Sequence, residues 1–285
     1  MGFFRRISTG FGLARRSGRV LRAHPKLLAF PLLGGLAGLA FMLTLFGGLF
    51  MVDPEPGPVL YATLFVVYVV ETFVASFFTA ALVAATRRTF RGEAPTIREC
   101  LAVAWSKKWQ LLAWAIIAAI VGVIIRAIEE SSDLAGTILA AVFSLAWGVM
   151  TYFIVPVIVF EETSITGMFK QSGRTIRNTW GESLGALSAI SIVTFLLVLG
   201  GVAVATVTFL AVPGSGLAVI LATAAVGGTA ILLAFLIGQA LTGIAKTALY
   251  VYATEQEAPE FFEDMDFSRL GVESQGSAGM VGGRI

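Results

Sequence analysis

The sequence predicts an all-α polytopic membrane protein: six transmembrane helices, arranged as three same-orientation helix-pair repeats with cytoplasmic interfacial helices. Three observations carry that prediction. Hydrophobic residues fill 57% of 285 positions and charged ones only 13%, with a mean hydropathy of +0.86, far too apolar for a soluble globule. Apolar runs beyond the ~18 residues that mark a membrane-crossing helix recur along the chain. Finally, the basic segment Ser17-Gly18-Arg19-Val20-Leu21-Arg22 returns in pattern as Ser172-Gly173-Arg174-Thr175-Ile176-Arg177, each copy leading into an apolar stretch. A weaker third copy ends at Lys107-Lys108-Trp109.

Residues 3–23 predict a helix lying in the membrane interface. On a 3.6-residue wheel Phe4, Ile7, Phe11, Ala14, Gly18 and Leu21 share one face, with Leu13 and Val20 off that stripe. Most of the arginines take the opposite side, the pattern of a surface helix on anionic lipid. Arg5, Arg6, Arg15, Arg16, Arg19, Arg22 and Lys26 make the segment too basic for a cleavable signal peptide, and no small-residue cleavage site follows a short apolar core.

Spans are expected at about 27–52, 58–86, 109–128, 134–160, 183–212 and 216–252. The second and sixth exceed the ~20 residues a bilayer needs, so they must tilt, kink or project. Gly227-Gly228, Gly238 and Gly243 offer bending points in the sixth. The turns Asp53 to Pro58, Glu129 to Asp133 and Pro213 to Gly216 together carry five acids, all in the first two, and neither lysine nor arginine. The N-terminal segment, Arg87 to Lys108 and Lys170 to Arg177 hold the cations of the other side, which places both termini in the cytoplasm.

Each repeat is then an interfacial helix, an outward span, a tight turn and an inward span, at about 1–92, 93–162 and 163–254, together the six-helix domain. Copies that begin and end on one side should be related by an axis along the membrane normal. Glu93-Ala94-Pro95, Glu162-Thr163-Ser164 and Glu257-Ala258-Pro259 punctuate the repeats and suit the start of a new helix. Ile97, Leu101, Ala104 and Trp105 line one face of the second interfacial helix; Ile165, Phe169, Ser172 and Ile176 line one face of the third. The tail, 255–285, is first acidic: its acids, with Phe261, Phe262 and Phe267, are expected to dock residues 255–270 on the basic face by salt-sensitive charge complementarity, and the chain reads as disordered beyond Gly271.

The Ser-Gly-Arg…Arg segment, His24-Pro25-Lys26-Leu27-Leu28-Ala29-Phe30-Pro31 and Ala248-Leu249-Tyr250-Val251-Tyr252-Ala253-Thr254 bracket nearly the whole chain. On these features it resembles an uncharacterised family of six-span archaeal and bacterial membrane proteins, a domain of unknown function. It is also loosely similar to the membrane domain accompanying some glycerophosphodiester phosphodiesterases. With no phosphodiesterase catalytic domain in the chain, that likeness implies architecture only, and neither family supplies functional residues.

Glu71 stands within Tyr68-Val69-Val70-Glu71-Thr72-Phe73, deep in the second span. A carboxylate there must face the bundle and be paired, hydrated or protonated. Its role is either a structural hydrogen-bond acceptor or a proton or cation site, with Gln239 and Lys246 of the sixth span as candidate partners; Lys246 also has the option of snorkelling. Gly34 and Gly38 form a G-x-x-x-G pattern, for which packing within the chain is favoured over dimerisation. Gly181-Glu182-Ser183-Leu184-Gly185 matches a serine-nucleophile pattern, but it opens a span and only His24 is available as base. A helix start with small residues is the favoured reading there.

The single cysteine, Cys100, excludes an intrachain disulfide and reads as packing; the single histidine excludes a His-rich metal cluster. No Walker loop, H-E-x-x-H or cysteine metal spacing occurs, so no cofactor, metal or catalytic residue is expected. Without an aromatic platform the basic face does not read as nucleic-acid binding. Membrane lipids are the expected partners, touched by Arg15, Arg16, Arg19, Arg22, Arg174 and Arg177, with other membrane subunits next. Three functional classes stay open. A non-enzymatic lipid-interacting scaffold or assembly subunit comes first, a small transporter or channel using Glu71 second, and an intramembrane serine hydrolase at Ser183 third.

Overall fold

A computed structural model describes residues 2–52, 58–130, 134–180, 184–211, 216–255 and 257–264. The fold is 88% helix, with no strand among the described residues. In order come α1 (Gly2–Ala23), a 3-10 turn (Pro25–Leu28), α2 (Ala29–Val52), α3 (Pro58–Thr89), α4 (Ile97–Ser106) and α5 (Lys108–Glu130). Then follow α6 (Leu134–Met150), α7 (Ile154–Phe160), α8 (Ile165–Trp180), α9 (Leu184–Ala211) and α10 (Leu217–Glu255).

Six stretches are long and apolar enough to cross a membrane: Pro25–Gly48, Ala62–Thr89, Lys108–Glu129, Gly136–Phe160, Ser191–Ala211 and Val219–Glu255. This is a multi-pass membrane protein, because an apolar helix satisfies its own backbone and has no other reason to be so uniformly greasy. Helices α1, α4 and α8 fall outside the spans and are amphipathic. Both α4 and α8 are capped, α8 at the expected Ser164 and α4 one residue beyond the expected Glu93-Ala94-Pro95: the Thr96 hydroxyl accepts from the Glu99 N–H at 3.3 Å, and that of Ser164 from Gly167 at 3.2 Å.

The chain forms two compact units, Met1–Leu28 with Arg177–Ile285, and Ala29–Ile176. In the second of these, α2 lies along α3 on its two glycines. A Cβ at Gly34 would sit 3.1 Å from the Cβ of Phe78, and one at Gly38 would sit 2.8 Å from Oε2 of Glu71. The G-x-x-x-G spacing therefore serves packing within the chain. Helix α5 meets α3 through Gly122 beside the Tyr68 ring, and through Trp114, whose indole N–H donates to Ser76 at 3.1 Å. The basic end of α3 is a core segment: Ala80 through Thr86 are all buried, with α4 and α7 packed against the helix.

The fourth span is broken between α6 and α7 at Thr151–Phe153. Pro156 contributes, since it has no N–H to give to the carbonyl one turn earlier. The break is bridged by α8: the Ser172 hydroxyl accepts from the Phe153 N–H at 3.2 Å and donates to the Met150 carbonyl at 2.7 Å. Trp114, Trp147 and Phe169 cluster beside it with ring centroids 5.8–6.0 Å apart.

In the other unit, α1 packs on the α9–α10 hairpin. That hairpin is tight: a Cβ on Gly227 would run into the Cα and Cβ of Ala205, and one on Gly238 into the side chain of Thr194. Gly227 and Gly238, two of the glycines expected to bend the sixth span, thus let α9 approach, and α10 runs unbroken for 39 residues. Its last turns, with Ala240, Leu241, Ile244, Ala245 and Thr247 to Val251, are buried.

The buried faces of the interfacial helices match the apolar wheel only in part: Ala14, Leu21, Ala104, Ser172 and Ile176 are buried as expected, but other positions differ. Leu13, Ala14, Ser17, Val20 and Leu21 are the buried side of α1, whereas Phe11 is exposed. In α4 the buried pair is Cys100 and Ala104, with Ile97 and Trp105 outside; in α8 the buried residues are Met168, Ser172, Thr175 and Ile176, with Ile165 outside. The reason is steric. Small and aliphatic side chains let a surface helix sit close on the spans, and the large apolar groups are left for the surroundings. Leu13, Ser17, Val20 and Leu21 repeat the spacing of Met168, Ser172, Thr175 and Ile176, and Cys100 and Ala104 repeat its first step.

Candidate functional site

Glu71 lies about 24 Å along α3 from Arg87, at ~1.5 Å per residue, and so is deep in its span. The absence of a side chain at Gly38 makes room for its carboxylate beside the α2 backbone. Oε1 is buried without a hydrogen-bond partner. Val67, Ala75 and Phe78 stand at helical spacing from Glu71 and on its stripe should face inward with it; Val67 and Phe78 are half-buried, but Ala75 is exposed. The small residue that permits the contact belongs to the facing helix, a pairing invisible in the periodicity of α3 alone. Gln239 and Lys246 fall in the other unit, both on α10; Gln239 is exposed and Lys246 half-buried.

Arg15, Arg19 and Arg22 are exposed on α1, and Arg174 is exposed on α8. The Arg177 side chain lies outside the described residues, as does the whole Gly181-Glu182-Ser183 stretch. Arg16 is half-buried and donates to the Asp264 carbonyl at 3.1 Å. Further along, the Arg87 guanidinium lies 4.4 Å over the Phe160 ring, and Arg88 pairs with Glu99 at 2.7 Å and Glu93 at 3.9 Å. Arg88 thereby ties α4 to the end of α3.

The acidic tail docks on α1, through its apolar groups. Phe262 is fully buried, Pro259 is buried, and the Phe261 ring meets His24 edge-on at 6.2 Å. Phe261 takes a φ of 74°, a left-handed bend that turns the chain after Pro259. Glu257, Glu260, Glu263 and Asp264 are exposed, so charge pairing is not what seats the segment.

Cys100 is buried and free. Burial pushes its thiol up, with Arg88 pulling the other way and Glu99 adding to the rise. A thiol so placed is a poor nucleophile, as its packing role requires. Among the described residues no group of three His, Cys, Asp or Glu side chains is placed to hold a metal.

Trp105 and Trp109, one turn apart with Lys108 between them, form an exposed aromatic and cationic surface at the α4–α5 junction. Lys107-Lys108-Trp109 was legible as punctuation. The i, i+4 tryptophan pair around the lysine is the signal that marks it as a surface in its own right.

No curated protein and no solved structure matches the chain. Residues 58–260, from the start of α3 to the docked tail, match the sequence profile of a family of unknown function, DUF6159, and the chain belongs to that family.

Proposed function

We propose that the protein is a non-catalytic membrane component, a lipid-interacting scaffold or a subunit of a larger membrane assembly. The observation that carries this reading is α1: one face is locked onto α9 and α10, and the other presents Arg15, Arg19 and Arg22 to the surroundings. Arg174 does the same on α8. Fixed arginines beside the ends of spans suit the phosphates of anionic lipid. Both termini are cytoplasmic in this reading, as the lysine- and arginine-free turns favour. The shared burial spacing of α1, α4 and α8 supports three helix-pair repeats of one orientation, an architecture in keeping with the loose likeness to phosphodiesterase-associated membrane domains.

Native mass spectrometry of the protein released from mixed-lipid micelles tests this. Retention of phosphatidylglycerol over phosphatidylcholine should fall about five-fold per residue in Arg15→Gln, Arg19→Gln and Arg22→Gln, from ~1 kcal/mol per basic residue at an anionic surface. Unchanged retention in the triple variant contradicts the reading.

A second reading, a small transporter or channel, is favoured by one observation, the buried and unpartnered Oε1 of Glu71. Ionisable side chains within spans mark ion and proton pathways in membrane proteins. In proteoliposomes under a pH gradient, this reading expects a proton flux that Glu71→Gln abolishes. No flux above that of empty vesicles counts against it.

A further inference from the structure

Two tryptophans stand on the surface where α4 gives way to α5. Trp105 is 58% exposed and Trp109 70%. Between them the Lys108 ammonium lies 4.5 Å from the centre of the Trp105 ring and 5.7 Å from that of Trp109. Ile97, exposed, continues the apolar face toward the start of α4. Exposed indoles are an unfavourable surface in water and a favoured one at the headgroup level of a bilayer. The third span begins at Lys108, so this junction stands at the membrane boundary.

Helix α4 is not free to roll this face inward. Cys100 and Ala104 bury its opposite side, Thr96 caps its first turn, and Glu99 is bonded to Arg88. That bond has an electrostatic consequence. Glu99 is the only acid in α4, and α5 has none before Glu129 at its far end. Lys107 and Lys108 therefore have no carboxylate near them on their own two helices.

We propose that Lys107 and Lys108, framed by Trp105 and Trp109, bind the phosphate of an anionic phospholipid headgroup in the adjoining leaflet. The proposal rests on the lipid-interacting reading but places a site on residues separate from the arginines of α1 and α8. The Trp105 ring holds the Lys108 ammonium by cation–π attraction while its N–H donors remain for phosphate oxygens. A compact ammonium suits phosphate as a point charge, and the indoles set its depth. An oxyanion in a bilayer is favoured over free phosphate because the hydrophobic frame has a use only against lipid.

The test uses the full chain in nanodiscs, with tryptophan fluorescence read against brominated lipids. At equal mole fraction, brominated phosphatidylglycerol should quench more than brominated phosphatidylcholine, by about five-fold in apparent affinity per lysine. Trp105→Phe with Trp109→Phe should remove the phosphatidylglycerol-preferring part of the quenching, leaving that of Trp114 and Trp147 in the spans, and so identify the reporters. Lys107→Gln with Lys108→Gln should erase the preference and leave phosphatidylcholine quenching as it was. Arg15→Gln with Arg19→Gln should not change it. Equal quenching of the wild type by both lipids would mean plain interfacial anchoring, and quenching identical in the wild type and the Trp105→Phe, Trp109→Phe variant would mean that a protein covers the surface; both outcomes overturn the site, as does a preference that survives loss of both lysines. Should the site fail while the α1 arginine variants still lose phosphatidylglycerol in mass spectrometry, the general reading stands; failure of both experiments removes both.

Discussion

Ser172 and Ser17 occupy equivalent places in the buried spacing of their helices, yet their hydroxyls have opposite circumstances. Ser172 bridges the Met150 carbonyl and the Phe153 N–H across a helix break. Ser17, also fully buried, has a hydroxyl without a partner. Removing the first strands two backbone groups, which costs about 1–3 kcal/mol; removing the second relieves a desolvated hydroxyl. Ser172→Ala should thus lower the thermal unfolding midpoint in detergent, and Ser17→Ala should leave it unchanged or raise it. The reverse order would mean that the α6–α7 break is held by something else. Burial also predicts that Cys100 does not react with a maleimide at neutral pH until the protein unfolds.

At the scale of elements, the α9–α10 hairpin depends on backbone approach. A methyl at Gly227 meets backbone and Cβ of Ala205, whereas one at Gly228 meets nothing within 4 Å. Gly227→Ala should destabilise by about 1–3 kcal/mol, as overpacking does, with Gly228→Ala neutral in the same thermal assay. Equal effects would return these glycines to a role in bending. The tail is a second element with its own physics. Because Phe262 is buried and the carboxylates are exposed, hydrogen exchange at 257–264 should be slow and nearly insensitive to salt, unlike a charge-docked segment. Phe262→Ala should release it. Rapid exchange in the wild type would deny stable docking.

For the whole molecule, the spans were legible because a membrane helix must be apolar along its whole length, and that requirement writes itself into composition. The cap at Ser164 was legible too, since its side chain answers a local need, whereas the start expected at Glu93-Ala94-Pro95 is capped one residue later, by Thr96. What sequence could not supply is which face of an amphipathic helix meets protein. Phe11 and Trp105 are the greasier choices, yet Leu13 and Cys100 are buried because they fit against a neighbour distant in sequence. Glu71 was visible as an anomaly in its span, but its relation to Gly38 depends on the register of α2 against α3.

The account stands on the side of the membrane that α1, α4 and α8 occupy, for their cations serve anionic lipid only if they lie on the cytoplasmic leaflet. Cysteines placed singly in a Cys100→Ala background, read with a membrane-impermeant thiol reagent, measure this most directly. The inner reporter must be exposed, as Ala94 between α3 and α4 is. The account predicts labelling of Glu55→Cys and Ser131→Cys in intact cells, and of Ala94→Cys only after permeabilisation. Labelling of Ala94→Cys in intact cells, with Glu55→Cys and Ser131→Cys silent, would place the basic helices outside and contradict it.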